Sequence, residues 1–279
     1  MILIESVPER TKVMQIIHPQ GMYNGLNPED VFIVVDDMGA ELGQGYIIYQ
    51  FQPHMYPDCP LNLYFSINCQ PVARYLLFGA LVARARQLRD FNPGVPARVY
   101  TNIAPNDSRM REFYAHNGFR CTDTENLLVL EKPAHGSRMP MSCAVTPVSL
   151  RTMEEQAALI ARMHMNDLTY VTQESLASLM SMPHFLALAL YRNTDIIGEI
   201  LMSGQGDSCE LNAMYVDQAN RRQGMGTFLV HRAMDILAAE GVTHFTTRIM
   251  SHSQPQCRLM ERFNAVSQGV FSVYPSLPL

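Results

Sequence analysis

The sequence predicts an α/β protein built as two similar halves in tandem. Three observations carry this reading. Short apolar, β-branched runs alternate with stretches whose apolar residues recur at helical spacing, the pattern of α/β units. The run Leu61-Asn62-Leu63-Tyr64-Phe65 returns 150 residues later as Leu211-Asn212-Ala213-Met214-Tyr215, and each copy is followed by a helix, a strand and a second helix. Between the copies, residues 132–142 hold two prolines and a glycine with no periodicity, as a linker does.

The first half opens with a strand or helix within 1–20. Residues 31–36 and 46–51 predict strands, with 39–45 as the turn of a hairpin. A third strand covers 61–67, and a helix runs from Val72 to about Asp90, where Asn92-Pro93-Gly94 stops it. A strand at 98–103 follows. Asp107 or Ser108 caps a helix that ends near Asn117-Gly118, and 127–130 is the last strand. The expected division is a first domain at 1–133, a linker at 134–142 and a second domain at 143–279.

The second half repeats the plan. It begins with a strand at 144–150 and helices at 153–165 and 173–180. Residues 185–192 and 196–203 form a hairpin around Asn193-Thr194-Asp195. Then comes the most informative stretch, 210–240. Alternation from Leu211 to Val216 indicates a buried strand. From Met225 onward, Leu229, Ala233, Ile236 and Leu237 mark one helix face, closed by Gly241. A strand at 244–250, a helix at 256–263 and a strand at 270–274 complete the chain.

The loop joining that strand to that helix reads Arg221-Arg222-Gln223-Gly224-Met225-Gly226-Thr227. Glycines at a helix start let the backbone approach a ligand, and the first-turn N–H groups have no partner inside the helix. These donors and the helix dipole favour an anion such as phosphate, and two arginines add charge. No Gly-Lys-Ser/Thr follows, so this is not a P-loop, and the third glycine of a dinucleotide fingerprint is missing.

Strand, Arg-x-x-Gly-x-Gly loop and helix together resemble the acetyl-CoA site of the GNAT superfamily of N-acyltransferases. The resemblance covers most of 143–279 and, more weakly, the first half. It implies two tandem GNAT-like domains, each a mixed, mostly antiparallel central sheet flanked by helices. It also implies acetyl-CoA as cosubstrate with no metal. The pyrophosphate would be held by Arg221, Arg222, Gln223, Gly224, Met225, Gly226 and Thr227. The pantetheine would pair with the backbone of Met214, Tyr215 and Val216 on a strand that splays from its neighbour.

The first half departs from the motif. Gln70-Pro71-Val72-Ala73-Arg74 stands where the loop should be, without glycine and with a proline that removes a donor. The first half is therefore the degenerate one. It does keep Tyr114-Ala115-His116-Asn117-Gly118-Phe119, similar to the family's late Y-x-x-x-G-F motif, whose tyrosine often protonates the departing thiolate. In the second half Met260 takes the tyrosine's place and cannot donate a proton. Ser253 falls where many relatives carry an asparagine that touches coenzyme A.

The activity implied is attack of a neutral primary amine on the acetyl thioester. Ammonium groups titrate near 8 to 10.4, so a base is needed. Glu210 stands where histone-type members place a glutamate base, with His164, Asp167 and His252 as rivals. Cys209 or Cys257 as an acyl nucleophile is the weakest option. The alternative to an enzyme is a non-catalytic CoA-binding module that senses or presents a ligand.

Apolar residues make up 47% and charged residues 17%, a folded rather than a disordered composition. A net charge of −5 argues against a nucleic-acid partner. The opening apolar run is too short for a secretory signal, and no stretch approaches ~18 apolar residues, so no membrane is expected. Six scattered cysteines read as reduced thiols, and the expected location is cytoplasmic. The expected acceptor is a small-molecule, amino-acid or peptide amine. The oligomeric state is left open.

Overall fold

The computed structural model describes residues 13–133 and 142–279. It separates into two compact units: the described residues up to Asn102 with Ser276–Leu279, and Ile103–Pro275. The expected linker falls largely outside the described residues, and the units divide elsewhere, after Asn102.

In the first unit, strands β1 (Gln15–Ile17), β2 (Val31–Val35), β3 (Glu41–Phe51) and β4 (Leu61–Cys69) lead to helix α1 (Arg74–Asp90) and β5 (Ala97–Tyr100). The sheet order is β1-β2-β3-β4-β5; neighbours are antiparallel except β4 and β5, which run parallel. The chain's last residues add Ser276, Leu277 and Pro278 beside Tyr100, Val99 and Arg98. Leu77, Leu81 and Ala85 of α1 recur at four-residue spacing and are fully buried, as are Leu61, Leu63 and Phe65 of β4. Strand β3 begins at Glu41, inside the expected turn. Its Gly45 permits a close helix approach: a Cβ there would lie 2.9 Å from both Leu81 Cδ1 and the Ser66 carbonyl.

The second unit holds α2 (Ser108–His116), β6 (Arg120–Leu130), β7 (Cys143–Pro147), α3 (Met153–Met165), α4 (Gln173–Met180), β8 (His184–Arg192), β9 (Asp195–Gln205), β10 (Ser208–Val216), α5 (Met225–Ala239), β11 (His244–Met250), α6 (Gln254–Met260) and β12 (Val266–Pro278), whose tip belongs to the first unit. Its sheet order is β12-β6-β11-β10-β9-β8-β7. β10 and β11 are parallel, while β7–β8, β8–β9, β9–β10 and β6–β11 are antiparallel. The sheets are thus mixed and mostly antiparallel, as expected. β6 ends the first half of the sequence, yet it pairs with β11 of the second, Leu128 opposite Thr247 and Leu130 opposite Phe245.

Local signals account for the elements. Thr152 and Glu155 form a reciprocal capping box at the start of α3. Asn193, at φ 57°, turns β8 into β9 with Thr194. Gly241, at φ 97°, follows α5. Helix α5 packs Met225, Leu229, Ala233 and Leu237 against Leu188, Ile200 and Phe245 of the sheet. No helix among the described residues is long and apolar enough to cross a membrane.

Candidate functional site

The site is built where β10 parts from β11. Their parallel pairing runs from Ser208 opposite His244 to Leu211 opposite Thr247 and stops there. On its other edge β10 stays paired with β9 as far as Val216 opposite Gly198, with a bulge between Leu211 and Ala213. Residues 212–216 therefore present one edge of backbone donors and acceptors unpaired by β11. That edge contains Met214, Tyr215 and Val216.

The edge leads into a short 3-10 turn (Gln218–Asn220) and then the loop. Two loop residues are left-handed, Arg222 at φ 62° and Gly224 at φ 80°. A Cβ on Gly224 would meet nothing within 4 Å, so the requirement there is conformational and not steric. Gly226 is different: its Cβ would touch Met214 Cε at 3.5 Å and Leu259 at 3.7 Å, ordinary contacts that place α6 against the helix start. No side chain caps α5, whose N-cap is Gly224. The amides of Met225, Gly226 and Thr227 belong to the first turn, where no intrahelical acceptor exists.

The loop's side chains divide into braces and an open charge. Arg221 Nε donates to the Val216 carbonyl at 2.7 Å, tying the loop back to β10. Arg192, at the end of β8, donates to Asn220 Oδ1 at 2.7 Å and to Gln223 Oε1 at 2.8 Å. Gln223 in turn reaches the Ala219 carbonyl. Met225 is buried, and Arg221 and Arg222 are both exposed. Of the two arginines, Arg221 is the one tied back to β10.

Beneath the free edge lies a charged network. Glu199 on β9 is fully buried and receives both Nε (3.0 Å) and Nη2 (2.7 Å) of Arg162 from α3. The Tyr215 hydroxyl donates to the same carboxylate at 2.8 Å. Burial, then the Glu199 charge, push the Tyr215 phenol well above its ordinary range. Tyr215 therefore anchors the free edge to β9 and α3 through a phenol that stays protonated. Sequence reasoning missed Arg162, Arg192 and Glu199. The one available signal was a lone carboxylate inside the apolar run Ile196-Ile197-Gly198-Glu199-Ile200-Leu201.

Glu210 lies on the paired part of β10, just before the bulge. Its Oε1 accepts from Arg248 Nε at 2.5 Å. Among the described residues no hydrogen bond is made by Oε2, and the side chain is 28% exposed. Arg248 lies over the Phe271 ring, 4.7 Å from its centroid. Tyr170, in the turn between α3 and α4, donates its hydroxyl to the Asn212 carbonyl at 3.3 Å, at the bulge itself.

The rival bases are engaged elsewhere. His164 Nε2 sits 2.8 Å from the Val171 carbonyl and closes the α3–α4 turn. His252 Nδ1 lies 3.4 Å from Asp123 Oδ1. Asp167 is buried in that turn at φ 67°. Burial, with the Glu240 charge adding to it, pushes the Cys209 thiol up to about 11, which makes it a poor nucleophile. Ser253 is the residue before α6 and makes no capping bond. Met260 is buried.

In the first unit the corresponding place is closed. Pro71–Ala73 is a 3-10 turn, and the Gln70 amide donates to the Leu42 carbonyl at 2.9 Å. Tyr114 of the late motif lies in the second unit. It is 2% exposed and packs against Phe113 and Phe119, with ring centroids at 5.2 and 5.4 Å.

Residues 156–265 match the model of the Acetyltransferase (GNAT) family. That span contains the parting strands, the loop and Glu210. No curated protein matches the sequence. Among solved structures, Eis1 from Mycobacterium abscessus is similar at 12% identity, covering 95% of this chain and 73% of its own, with a TM-score of 0.61. A probable N-acyltransferase from Enterococcus faecalis is similar at 11% identity, covering 88% of this chain and 61% of its own, with a TM-score of 0.57. At these identities the likeness is one of fold.

Proposed function

We propose, from the match of residues 156–265 to the GNAT family, that the chain is an N-acetyltransferase that uses acetyl-CoA to acetylate a primary amine of a small molecule, amino acid or peptide. The observation that carries the reading is the unpaired edge of β10, continuous with a left-handed glycine and an uncapped helix start. An extended amide chain ending in a pyrophosphate fits those two features in that order. The amide groups of pantetheine find backbone partners along 212–216. The phosphates find first-turn N–H groups and Arg222.

Acetyl-CoA supplies an activated acyl carbonyl; the protein's own residues do the rest. Oε2 of Glu210 receives the acceptor's ammonium and takes its proton, directly or through one water. Backbone donors at the bulge steady the negative charge that forms on the carbonyl oxygen. Met260 contributes no proton, so the thiolate leaves unassisted or with a proton from water or another hydroxyl. A thiol pKa of about 8.5 makes that departure tolerable near neutral pH.

Met260 also supports a second reading, a CoA-binding module that does not turn over. The two separate cleanly. Free thiol is measured by a chromogenic disulfide after mixing the protein with acetyl-CoA and a panel of amines. Amine-dependent thiol release supports the enzyme. Tight CoA binding with no release from any amine supports the module.

A further inference from the structure

Arg248 stands between two carboxylates. In the parallel pair, Glu210 of β10 is opposite Thr246 of β11, and Arg248 lies two residues further on, on the same face. In the antiparallel pair on its other side, Glu125 of β6 is opposite Met250, two residues past Arg248, and so shares that face too. Arg248 therefore has a carboxylate diagonally beside it on each neighbouring strand, a spacing that a long side chain can bridge. It commits Nε to Glu210 Oε1 at 2.5 Å. Its guanidinium rests on the Phe271 ring, which limits where the side chain can swing. Burial works against the Arg248 charge, and the bond to Glu210, with the charges of Glu210 and Glu125, more than restores it. Glu125 is itself held, its Oε2 accepting from the Tyr274 hydroxyl at 3.1 Å. Ionisable groups around this stretch of sheet also include Tyr170 at the Asn212 carbonyl, His252 beside Asp123, and Glu199 with Arg162 further along β9. Glu125 comes from the first half of the sequence, which thus reaches the surroundings of Glu210.

We infer that Arg248 is a positioning residue for Glu210. This rests on the N-acetyltransferase reading above, with Glu210 as its base. Arg248 holds Oε1 and leaves Oε2 as the oxygen that meets the amine. It also fixes the rotation of the carboxylate, so that Oε2 keeps one direction. A side chain on a strand next to a parting edge would otherwise sample several rotamers, and a base gains from being held in one geometry. Arg248 touches no reacting atom in this account and acts only through Glu210. The link is a single charge-assisted bond from Nε, so a lysine ammonium can replace part of it but not the flat contact with Phe271.

The test measures kcat at saturating acetyl-CoA with whichever of propylamine, lysine and glycylglycine is turned over fastest. It compares the unaltered protein with Arg248→Met, Arg248→Lys, Glu210→Gln and the double variants that combine Glu210→Gln with each change at Arg248. Arg248→Met should lower kcat by about 10²-fold, the scale of a misplaced reacting group, while calorimetry shows acetyl-CoA affinity unchanged. Arg248→Lys should recover about tenfold of that loss, the scale of one hydrogen bond to a charged group. In the Glu210→Gln background neither change at Arg248 should lower kcat further, because Arg248 has no other route to the reaction. If Arg248→Met does not fold, Arg248→Lys in the two backgrounds decides the matter in the same way. Full activity in Arg248→Met, an Arg248→Lys variant no better than Arg248→Met, or equal losses in both backgrounds overturns the inference. Equal losses beside an impaired Glu210→Gln defeat this inference alone. Near-normal kcat in Glu210→Gln removes Glu210 as the base and this inference with it, and acetyl-CoA binding with no turnover of any amine defeats the enzyme reading as well.

Discussion

Replacing Arg162 by Met removes the cation from a carboxylate with no solvent exposure. Glu199 keeps only the Tyr215 hydroxyl, because both of its oxygens are otherwise held by Arg162. Breaking a buried pair from one side costs about 3–5 kcal/mol, since the remaining charge is stranded away from water. Total stabilities are only about 5–15 kcal/mol, so the loss is large. Replacing both residues is different: an apolar pair of similar volume is often neutral or stabilising. Arg162→Met should therefore lower the unfolding free energy by about 3–5 kcal/mol, and adding Glu199→Met should recover at least half of that. Urea denaturation of the two single variants and the double variant measures the cycle. A cost below about 1 kcal/mol for Arg162→Met, or a double variant whose cost equals the sum of the singles, would refute the reasoning.

Three further outcomes follow from other parts of the molecule. Glu210→Gln should lower kcat by about 10²–10⁴-fold with acetyl-CoA affinity nearly intact, and steady-state kinetics with any accepted amine will show it; near-normal kcat moves the base elsewhere. Residues 143–279 expressed alone lack β6, so the β11 edge and the core around Leu128 and Leu130 are uncovered. That fragment should aggregate in size-exclusion chromatography, and a monodisperse, active fragment would contradict this. Cys209 keeps its proton to about 11 in the folded state but loses it near 8.5 once unfolded. The unfolded state is thus favoured progressively from about pH 8.5 to 11, and Cys209→Ala should flatten the fall in thermal midpoint across that window. An identical fall in both proteins rules this group out as the cause.

What was legible in the sequence was what local pattern encodes. Period, caps and glycines located α5, its loop and the hairpin at Asn193, because each depends on neighbours a few residues away. Glycine misled once: Gly43 and Gly45 read as turn residues, whereas Gly45 sits in β3 to admit α1. The last strand was expected at 270–274, yet β12 runs from Val266 to Pro278 and ends beside β5. Partner choice was not legible. The alternation of β6 shows that it is a strand but not that its partner is β11, more than a hundred residues on. For the same reason Arg162 and Glu199, 37 residues apart, and Glu210 and Arg248, 38 apart, could be joined only in three dimensions. Glu210 was singled out from the sequence as a base; that one of its oxygens is held by Arg248 was not.

The most direct test of the account is calorimetric titration of the full chain with acetyl-CoA, run beside Gly224→Asp. That substitution puts a carboxylate on a left-handed residue at the uncapped start of α5, where the phosphates would lie. The account predicts one site per chain, lost or sharply weakened in Gly224→Asp. Two equal sites, no binding at all, or an unchanged affinity in Gly224→Asp would contradict it.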